Sequence, residues 1–139
     1  MYTGEYEHTI DAKGRMFLPA KFRTELGEKV VLARGIDPCV CIYPVTEWEK
    51  YIAKIESLPV VKARNAKRLL CSTAMETEID GQGRVLIPNA LRAYAALEKN
   101  VRVIGTGDTA EIWNIEKLEG FMNEYSAKEL ENELIELGL

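Results

Sequence analysis

The sequence predicts an α+β, β-rich protein built from two tandem copies of one small module. The pentapeptide at 11–15, Asp-Ala-Lys-Gly-Arg, returns 69 residues later at 80–84 as Asp-Gly-Gln-Gly-Arg. Aligned at that offset, the two copies agree at seven of seventeen positions: Glu7/Glu76, Ile10/Ile79, Asp11/Asp80, Gly14/Gly83, Arg15/Arg84, Pro19/Pro88 and Arg23/Arg92. A period this long with only two copies indicates a duplicated domain rather than a solenoid.

Alternation and turn residues predict the elements of each copy. Tyr6, His8 and Ile10 alternate with polar residues and so share one face of a strand. Gly14 suits a turn that needs positive φ, and Gly27 suits the end of a helix. For the first copy we predict strand 5–10, turn 12–14, a returning strand 15–18, helix 20–26 and strands 30–33 and 39–43. For the second copy we predict a strand ending at 79, turn 81–83, strand 84–87, a helix from Pro88 and strands near 101–104 and 110–113.

Helices are predicted after each copy. Thr46 and Asn114 are candidate N-caps for the helices that follow them, and Ser126 with Glu129 forms a capping box for a last helix. The predicted division is a first domain at 5–47, a helical linker at 48–75, a second domain at 76–119 and a C-terminal helix at 120–139. The last helix has a thin apolar stripe and many Glu residues. It either packs on its own domain or faces another subunit or partner.

Length and composition predict a cytoplasmic protein that is one compact unit or two very small modules. Each half of the 139-residue chain is marginal for burying a core alone, so the halves are expected to share one. No apolar run is long enough for a membrane span, and the N-terminus does not resemble a signal peptide. The three cysteines are expected to be reduced thiols, Cys39 and Cys41 on one face of a strand. With a single histidine, His8, the spacing of a metal site is absent, and no metal or cofactor is expected.

The net charge of −4 conceals a difference between the halves. Residues 1–68 contain 12 Lys and Arg against 9 Asp and Glu, a net +3, whereas residues 69–139 contain 6 against 13, a net −7. The local field of one face decides whether nucleic acid binds, and the total charge does not. The basic cluster at 62–68 has a simpler interpretation as a solvated helix face.

The first copy carries the candidate binding residues. A ribbon presenting Lys13 and Arg15, beside a helix with Lys21 and Arg23, fits the DNA major groove, where an Arg bonds bidentately to guanine. Asp11 is expected to brace the Arg15 guanidinium rather than to touch DNA, because phosphate repels a carboxylate. The alternative is that Asp11 and Arg15 form a plain structural ion pair.

The second copy repeats the bracing residues Asp80 and Gly83 and the arginine, Arg84. Gln82 replaces the lysine of the first copy, and two nearby glutamates make this turn less cationic. The second turn is therefore expected to contact DNA more weakly, although Gln82 has the groups to read adenine.

Catalysis is not expected. Glu5 and Glu7 have no partner acid, and His8 has no adjacent nucleophile in a recognisable setting. The sequence Gly105-Thr-Gly lacks the third glycine and the helix start of a phosphate loop.

The residues at 4–15, Gly-Glu-Tyr-Glu-His-Thr-Ile-Asp-Ala-Lys-Gly-Arg, with Pro-Ala-Lys-Phe-Arg at 19–23, resemble the start of the MraZ family. Its members are bacterial transcriptional regulators with two SpoVT/AbrB-type swapped-hairpin domains. The resemblance covers nearly the whole chain. It implies a pseudo-dimeric β-barrel with flanking helices, and DNA contact at Lys13, Arg15 and Arg84.

The resemblance also implies a homo-oligomeric ring, an octamer, associated with the nucleoid. This ring would bind short direct repeats in double-stranded DNA upstream of the division and cell-wall gene cluster. Neither a small-molecule substrate nor a membrane is implied. The rival from another class is an AbrB-type antitoxin, or another protein-binding module, that uses its acidic C-terminal helix.

Overall fold

The computed structural model describes all 139 residues, which form eight strands and six helices. The first copy holds β1 (Glu5–Thr9), β2 (Arg15–Phe17), α1 (Ala20–Leu26), β3 (Lys29–Arg34) and β4 (Val40–Pro44). Two helices follow, α2 (Val45–Glu56) and α3 (Val60–Thr73). The second copy holds β5 (Met75–Glu78), β6 (Arg84–Leu86), α4 (Asn89–Tyr94), β7 (Asn100–Gly105) and β8 (Ala110–Asn114), and α5 (Ile115–Glu124) and α6 (Ala127–Glu136) end the chain.

Strands of one copy pair chiefly with strands of the other. A six-stranded sheet has the order β1-β7-β8-β4-β3-β5, and β2 with β6 forms a separate two-stranded ribbon. All the pairings are antiparallel. The predicted return of β2 along β1 is wrong except for a single bridge between Ile10 and Met16. The turn at 11–14 reverses the chain, but the partner of the returning strand comes from the other copy.

The mixed α/β architecture and the tandem arrangement agree with the sequence-based prediction. The strand ladders do not form one closed barrel, because β1 and β5 remain at the edges of the larger sheet. No continuous ladder of hydrogen bonds joins the β2–β6 ribbon to either edge strand, β1 or β5.

One core serves both copies, as the marginal size of each half predicted. Eighteen buried residues form a continuous cluster. Its most enclosed side chains include Leu18, Phe22 and Leu32 from the first copy and Ile87 and Ile112 from the second. Because neither copy encloses this apolar surface alone, the halves fold as one unit.

Capping explains where several helices begin and end. Gly27 adopts φ 77° after α1, as predicted for a helix stop. The Asn114 side chain accepts a bond from the Lys117 amide, and the Ser126 hydroxyl accepts one from the Glu129 amide. The predicted Thr46 cap is wrong: Pro44 is the N-cap, so α2 begins two residues earlier, at Val45, without a side-chain cap.

The C-terminal segment does not pack into the core. All residues from 119 to 139 are exposed, and α6 has no buried residue. Packing of this helix on its own domain is therefore not observed. None of the six helices combines the length and the apolar character needed to span a bilayer.

Arg102 joins three elements near the edge of the sheet. Its guanidinium lies 3.0 Å from the Glu5 carboxylate, 2.9 Å from Glu7 and 3.4 Å from Glu119. The bond to Glu7 and the charges of the three carboxylates raise the pKa of Arg102. The two N-terminal glutamates therefore fix β1 to β7, and Arg102 also reaches α5.

A smaller cluster lies on the other side of the sheet. Cys39, Cys41, Trp113 and Leu118 are buried together there. All three cysteines are free thiols, and only Cys71 is exposed. A hydrogen bond with Cys41, together with burial, raises the pKa of the Cys39 thiol, which is therefore protonated at neutral pH.

Candidate nucleic-acid interface

The first turn, residues 11–15, is organised by one carboxylate. The Asp11 Oδ1 atom accepts bonds from the backbone amides of Lys13 and Arg15, both at 2.9 Å. The Asp11 Oδ2 atom accepts a bond from Arg15 Nε at 2.9 Å. Gly14 closes the turn with φ 85° and donates its amide to the Asp11 carbonyl. One side chain therefore fixes both the backbone of the turn and the direction of the arginine.

The second turn, residues 80–84, repeats this geometry. Asp80 Oδ1 accepts from the amides of Gln82 and Arg84 at 2.9 Å, and Asp80 Oδ2 accepts from Arg84 Nε at 2.8 Å. Gly83 has φ 86°. In both turns the backbone bond from the arginine is the main cause that lowers the pKa of the aspartate. Both carboxylates are therefore ionised at neutral pH.

The bracing leaves the outer part of each guanidinium available. Only the Nε atom of Arg15 and of Arg84 is bonded to an aspartate. The two terminal nitrogens are the groups that bond bidentately to guanine O6 and N7. Holding Nε reduces the freedom that the side chain would lose on binding. This geometry forms an ion pair in each turn, and the role of Asp11 and Asp80 as braces for a DNA-binding arginine stays a prediction.

The two arginines lie on one face of the β2–β6 ribbon. In the antiparallel register Arg15 is opposite Leu86, and Phe17 is opposite Arg84. Met16 and Val85 alternate with them and are buried in the core. Phe17 is 44% exposed and Leu86 48% exposed. We call the outward set of Arg15, Phe17, Arg84 and Leu86 the ribbon face.

Each turn is also supported by an arginine from the other copy. A side chain added at Gly14 would meet the Arg92 guanidinium at 2.9 Å, and one added at Gly83 would meet that of Arg23 at 2.7 Å. The carbonyls of the two glycines accept bonds from the amides of Ile87 and Leu18 respectively. The contacts are reciprocal, as expected of two copies related by an approximate twofold axis.

Arg23 therefore belongs to the second turn rather than to the first. Its Nε donates to the Leu18 carbonyl at 3.0 Å, and its guanidinium lies 5.9 Å from the centre of the Phe17 ring. Arg84 lies 5.8 Å from the same ring. The second turn thus has Arg23 and Arg84 near it, while the first has Arg15 and Arg92.

Lys13 and Lys21 have different surroundings. Lys13 is exposed in the first turn, and its side chain makes no hydrogen bond or ion pair. The ammonium of Lys21 lies 3.3 Å from the Thr3 hydroxyl, in the N-terminal segment that pairs with Gly107. No hydrogen bond or ion pair connects Lys21 with the ribbon. The structure therefore brings Lys13, Arg15, Arg23 and Arg84 to the ribbon and leaves Lys21 at the N-terminal segment.

His8 lies beside the ribbon in a surface depression of about 570 Å³ that also contacts Phe17. Burial, and to a smaller extent the charge of Arg23, lowers the pKa of His8. The imidazole is therefore neutral at pH 7. It makes no hydrogen bond with a nucleophile, and no carboxylate orients it.

Comparison with known proteins matches one family profile to this chain twice. The profile, described as "MraZ protein, putative antitoxin-like", covers residues 1–69 and 70–136. The chain belongs to the MraZ family. The resemblance seen in the sequence is thereby confirmed, and the two matched ranges confirm that the module is duplicated.

Relatives align over the whole chain. A protein of Thermoanaerobacter sp. (strain X514) named "Transcriptional regulator MraZ" is 47% identical over the full length of both chains. A protein of that name from Halothermothrix orenii is 43% identical over the same span. One from Carboxydothermus hydrogenoformans is 48% identical over 88% of this chain and 87% of its own. MraZ proteins are transcriptional regulators rather than enzymes, which confirms the prediction of a non-enzyme.

Three residues of the ribbon and its turns, Phe17, Leu86 and Arg92, were not predicted from the sequence. The exposure of Phe17 and Leu86 could not be predicted, because each lies in a continuous apolar run in which no alternation between two faces can be recognised. The position of Arg92 beside the first turn was not predicted, although Arg92 matches Arg23 at the 69-residue offset between the copies. The two copies share this arginine although their neighbouring charges differ. Such identity is expected where both copies need the same contact.

Proposed function

We propose that this MraZ family member is a sequence-specific DNA-binding transcriptional regulator that reads DNA with its ribbon face. The observation that carries the proposal is that two braced arginines, Arg15 and Arg84, come from different copies and lie on one exposed two-stranded ribbon. The B-DNA major groove is wide enough to admit such a ribbon.

Each member of the ribbon face has a distinct chemical role. Arg15 and Arg84 bond bidentately to guanine, which selects the base. Phe17 and Leu86 contact thymine methyl groups, the apolar feature of the same groove. Lys13 neutralises a phosphate as a point charge, and we assign Lys21 to phosphate contact outside the ribbon. Arg23 supports the second turn and supplies positive charge beside it.

Self-assembly is the second part of the proposal. One ribbon makes few contacts, and the low positive charge of a single module holds DNA poorly at physiological salt. Several ribbons on one rim of a ring, such as an octamer, would engage successive direct repeats at high effective concentration. A head-to-tail ring presents its ribbons in one direction, which suits direct repeats. By family resemblance, these repeats lie upstream of the division and cell-wall gene cluster.

Two unpartnered surfaces support a head-to-tail contact. The α2–α3 surface contains an apolar groove of about 240 Å³, and Leu58, Val60 and Val61 are exposed around it. Helix α3 carries four basic residues and no acidic one. Helix α6 exposes Leu130 and Ile135 and carries four glutamates with one lysine. The two surfaces are complementary in charge and both are apolar, so we place α6 of one chain on α2–α3 of the next.

Three further parts of the proposal, the strand arrangement, the domain bounds and the location in the cell, rest on the family resemblance and on the strand pairing between copies. We place the strands in a pseudo-dimeric, swapped-hairpin arrangement related to a barrel, supported by the exchange of β1, β2, β3 and β5 between copies. We propose the same division into domains, with a first domain at 5–47, a linker at 48–75 and a second domain at 76–119. A regulator of this kind works in the cytoplasm, at the nucleoid.

A genomic footprint of the tagged protein, followed by binding measurements on the recovered DNA, tests the proposal. Arg15→Ala should weaken specific binding by roughly 1–3 kcal/mol for each engaged chain. Lys117→Ala is the matched control, because it removes one exposed positive charge on α5, outside both the ribbon face and the α2–α3 surface. Equal losses for the two variants would mean that the ribbon face does not select the sequence.

Repeat number tests the assembly separately. Operators with one, two and three direct repeats are titrated at one salt concentration. We expect affinity to fall steeply as repeats are removed, although each remaining contact is unchanged. A single repeat that binds as tightly as three would show that one chain suffices.

A second candidate function is the binding of a protein partner by α6. The family description as antitoxin-like and the full exposure of residues 119–139 favour it. Comparing circular dichroism with and without residues 124–139 separates the two functions. Loss of helical signal on truncation indicates that α6 is already folded in the free protein, as the regulator requires. An antitoxin tail that is disordered until bound would show no such loss.

A further inference from the structure

Three side chains whose atoms can ligate a metal ion meet on the side of the sheet opposite the core. Cys39 and Cys41 are two positions apart and lie on the same face of the chain entering β4. Cys41 is directly opposite Glu111 in the β4–β8 pair. The two sulfur atoms and a carboxylate oxygen of Glu111 all lie within 4.8 Å of one another. Sequence spacing could not reveal this group, since its third member belongs to the second copy.

The surroundings hold these donors in place. Cys39 is 1% exposed and Cys41 7% exposed, with Trp113 and Leu118 packed against them. The Trp113 indole Nε1 donates to Glu111 Oε1 at 3.0 Å, which orients the carboxylate and leaves Oε2 without a protein partner. A hydrogen bond to a ligating carboxylate is a usual feature of the outer shell of a metal site.

We propose that Cys39, Cys41 and Glu111 form a binding site for a thiophilic divalent cation of the Zn²⁺ class. In a tetrahedral site, ligands about 2.0–2.3 Å from the ion lie roughly 3.3–3.8 Å from one another. Donors within 4.8 Å of one another therefore need to converge by at most about 1–1.5 Å. Water would supply the fourth tetrahedral ligand. Two thiolates select Zn²⁺ or Cd²⁺ over Mg²⁺ and Ca²⁺, which prefer oxygen ligands.

Metal binding replaces two thiol protons with one divalent cation, so the net charge of the site does not change. Each thiol releases one proton to solvent as its sulfur binds the metal, so two protons leave for one divalent cation. No oxidant or reductant takes part. The ion joins β4 of the first copy to β8 of the second, across the seam where Cys41 pairs with Glu111. Binding therefore stabilises the folded chain and becomes weaker as the pH falls.

Cadmium binding to the full-length protein tests the site, with Cys71→Ser as the background because it removes the exposed thiol. We expect one equivalent of Cd²⁺ to produce sulfur-to-cadmium charge-transfer absorption, to raise the melting temperature and to release two protons. Zn²⁺ should abolish the absorption by competition. Cys41→Ser in this background should remove the absorption, and Glu111→Gln should weaken Cd²⁺ binding by at least about tenfold.

The Glu111→Gln variant keeps both thiols and decides the outcome if Cys41→Ser does not fold. Circular dichroism confirms the folding of each variant before titration. Absence of the absorption in the Cys71→Ser protein would overturn the proposal. Unchanged Cd²⁺ affinity in folded Glu111→Gln would overturn the three-ligand site as well.

Discussion

The first turn and the second turn share a geometry and differ in chemistry. Asp11 and Asp80 accept the same three bonds, and Gly14 and Gly83 have φ values of 85° and 86°. The middle residue of the five is lysine in the first turn, Lys13, and glutamine in the second, Gln82. The fold therefore requires Asp, Gly and Arg at fixed positions and leaves the middle position free to adjust charge.

Two of the seams between the copies, β1–β7 and β3–β5, differ in a similar way. In the β1–β7 seam, Glu7 is opposite Arg102, which binds three carboxylates. In the β3–β5 seam, the equivalent Glu76 is opposite Val31 and has only Lys29 at 3.8 Å. Backbone pairing is thus preserved in both seams, while the ionic contacts are concentrated in one.

Filling either turn glycine should cause the largest effect. Gly14→Ala and Gly83→Ala each place a side chain at positive φ and against an arginine of the other copy. We expect each to lower the free energy of unfolding by roughly 2–3 kcal/mol, measured by urea denaturation. Gly81→Ala is the control, because that site has open space and corresponds to Ala12 of the first turn. A large loss for only one of the two glycines would contradict the equivalence of the turns.

Removing the charge of Arg102 should have a smaller effect. Arg102→Met keeps much of the side-chain volume and frees the three glutamates. We expect a small but measurable loss of stability in thermal unfolding, since the arginine is mostly covered but its partners are exposed. Lys29→Met tests the β3–β5 seam and should cost less stability in the same thermal unfolding assay. Equal losses would remove the difference inferred between the seams.

Exchanging the middle residues of the turns should alter the salt dependence of DNA binding. Lys13→Gln makes the first turn resemble the second and should reduce the slope of log affinity against log salt by about 0.9. Gln82→Lys should increase that slope by a similar amount. Anisotropy titrations at several salt concentrations measure both. If Gln82→Lys leaves the slope unchanged, the second turn does not approach phosphate.

Acid should loosen the two turns together, with the smallest effect. Both aspartates have a folded pKa below the ordinary value, so their contribution to stability is present above the unfolded pKa and is lost as pH falls through the folded pKa. We expect carboxyl NMR titrations of Asp11 and Asp80 with low and similar midpoints. A normal midpoint for either residue would show that its bracing bonds do not persist in solution.

Much of the fold could be predicted from the sequence because its signals are local. Turn glycines, alternating strands and the caps at Asn114 and Ser126 each depend on a few neighbouring residues. The partner of β2 could not be predicted this way, since the same apolar face of Met16 fits a strand from either copy. Pairing between copies is a long-range choice that the shared core decides.

The candidate site was predictable to a similar extent. Lys13, Arg15 and Arg84 follow from the repeated motif, and the braces at Asp11 and Asp80 follow from the four-residue spacing. The transfer of Arg23 to the second turn could not be seen, because it depends on how α1 crosses the other copy. The exposure of Phe17 likewise depends on which side of the ribbon meets the core.

Photo-crosslinking from the ribbon face tests the central claim most directly. Benzoylphenylalanine is placed at Phe17 or at Leu86, and at Phe121, which has a comparable exposure of 45% but lies on α5. Each protein is irradiated with operator DNA. We predict covalent DNA adducts from both ribbon positions, one from each copy, and none from the α5 position. Adducts from Phe121 alone, or none from either ribbon position, would contradict DNA reading by the ribbon face.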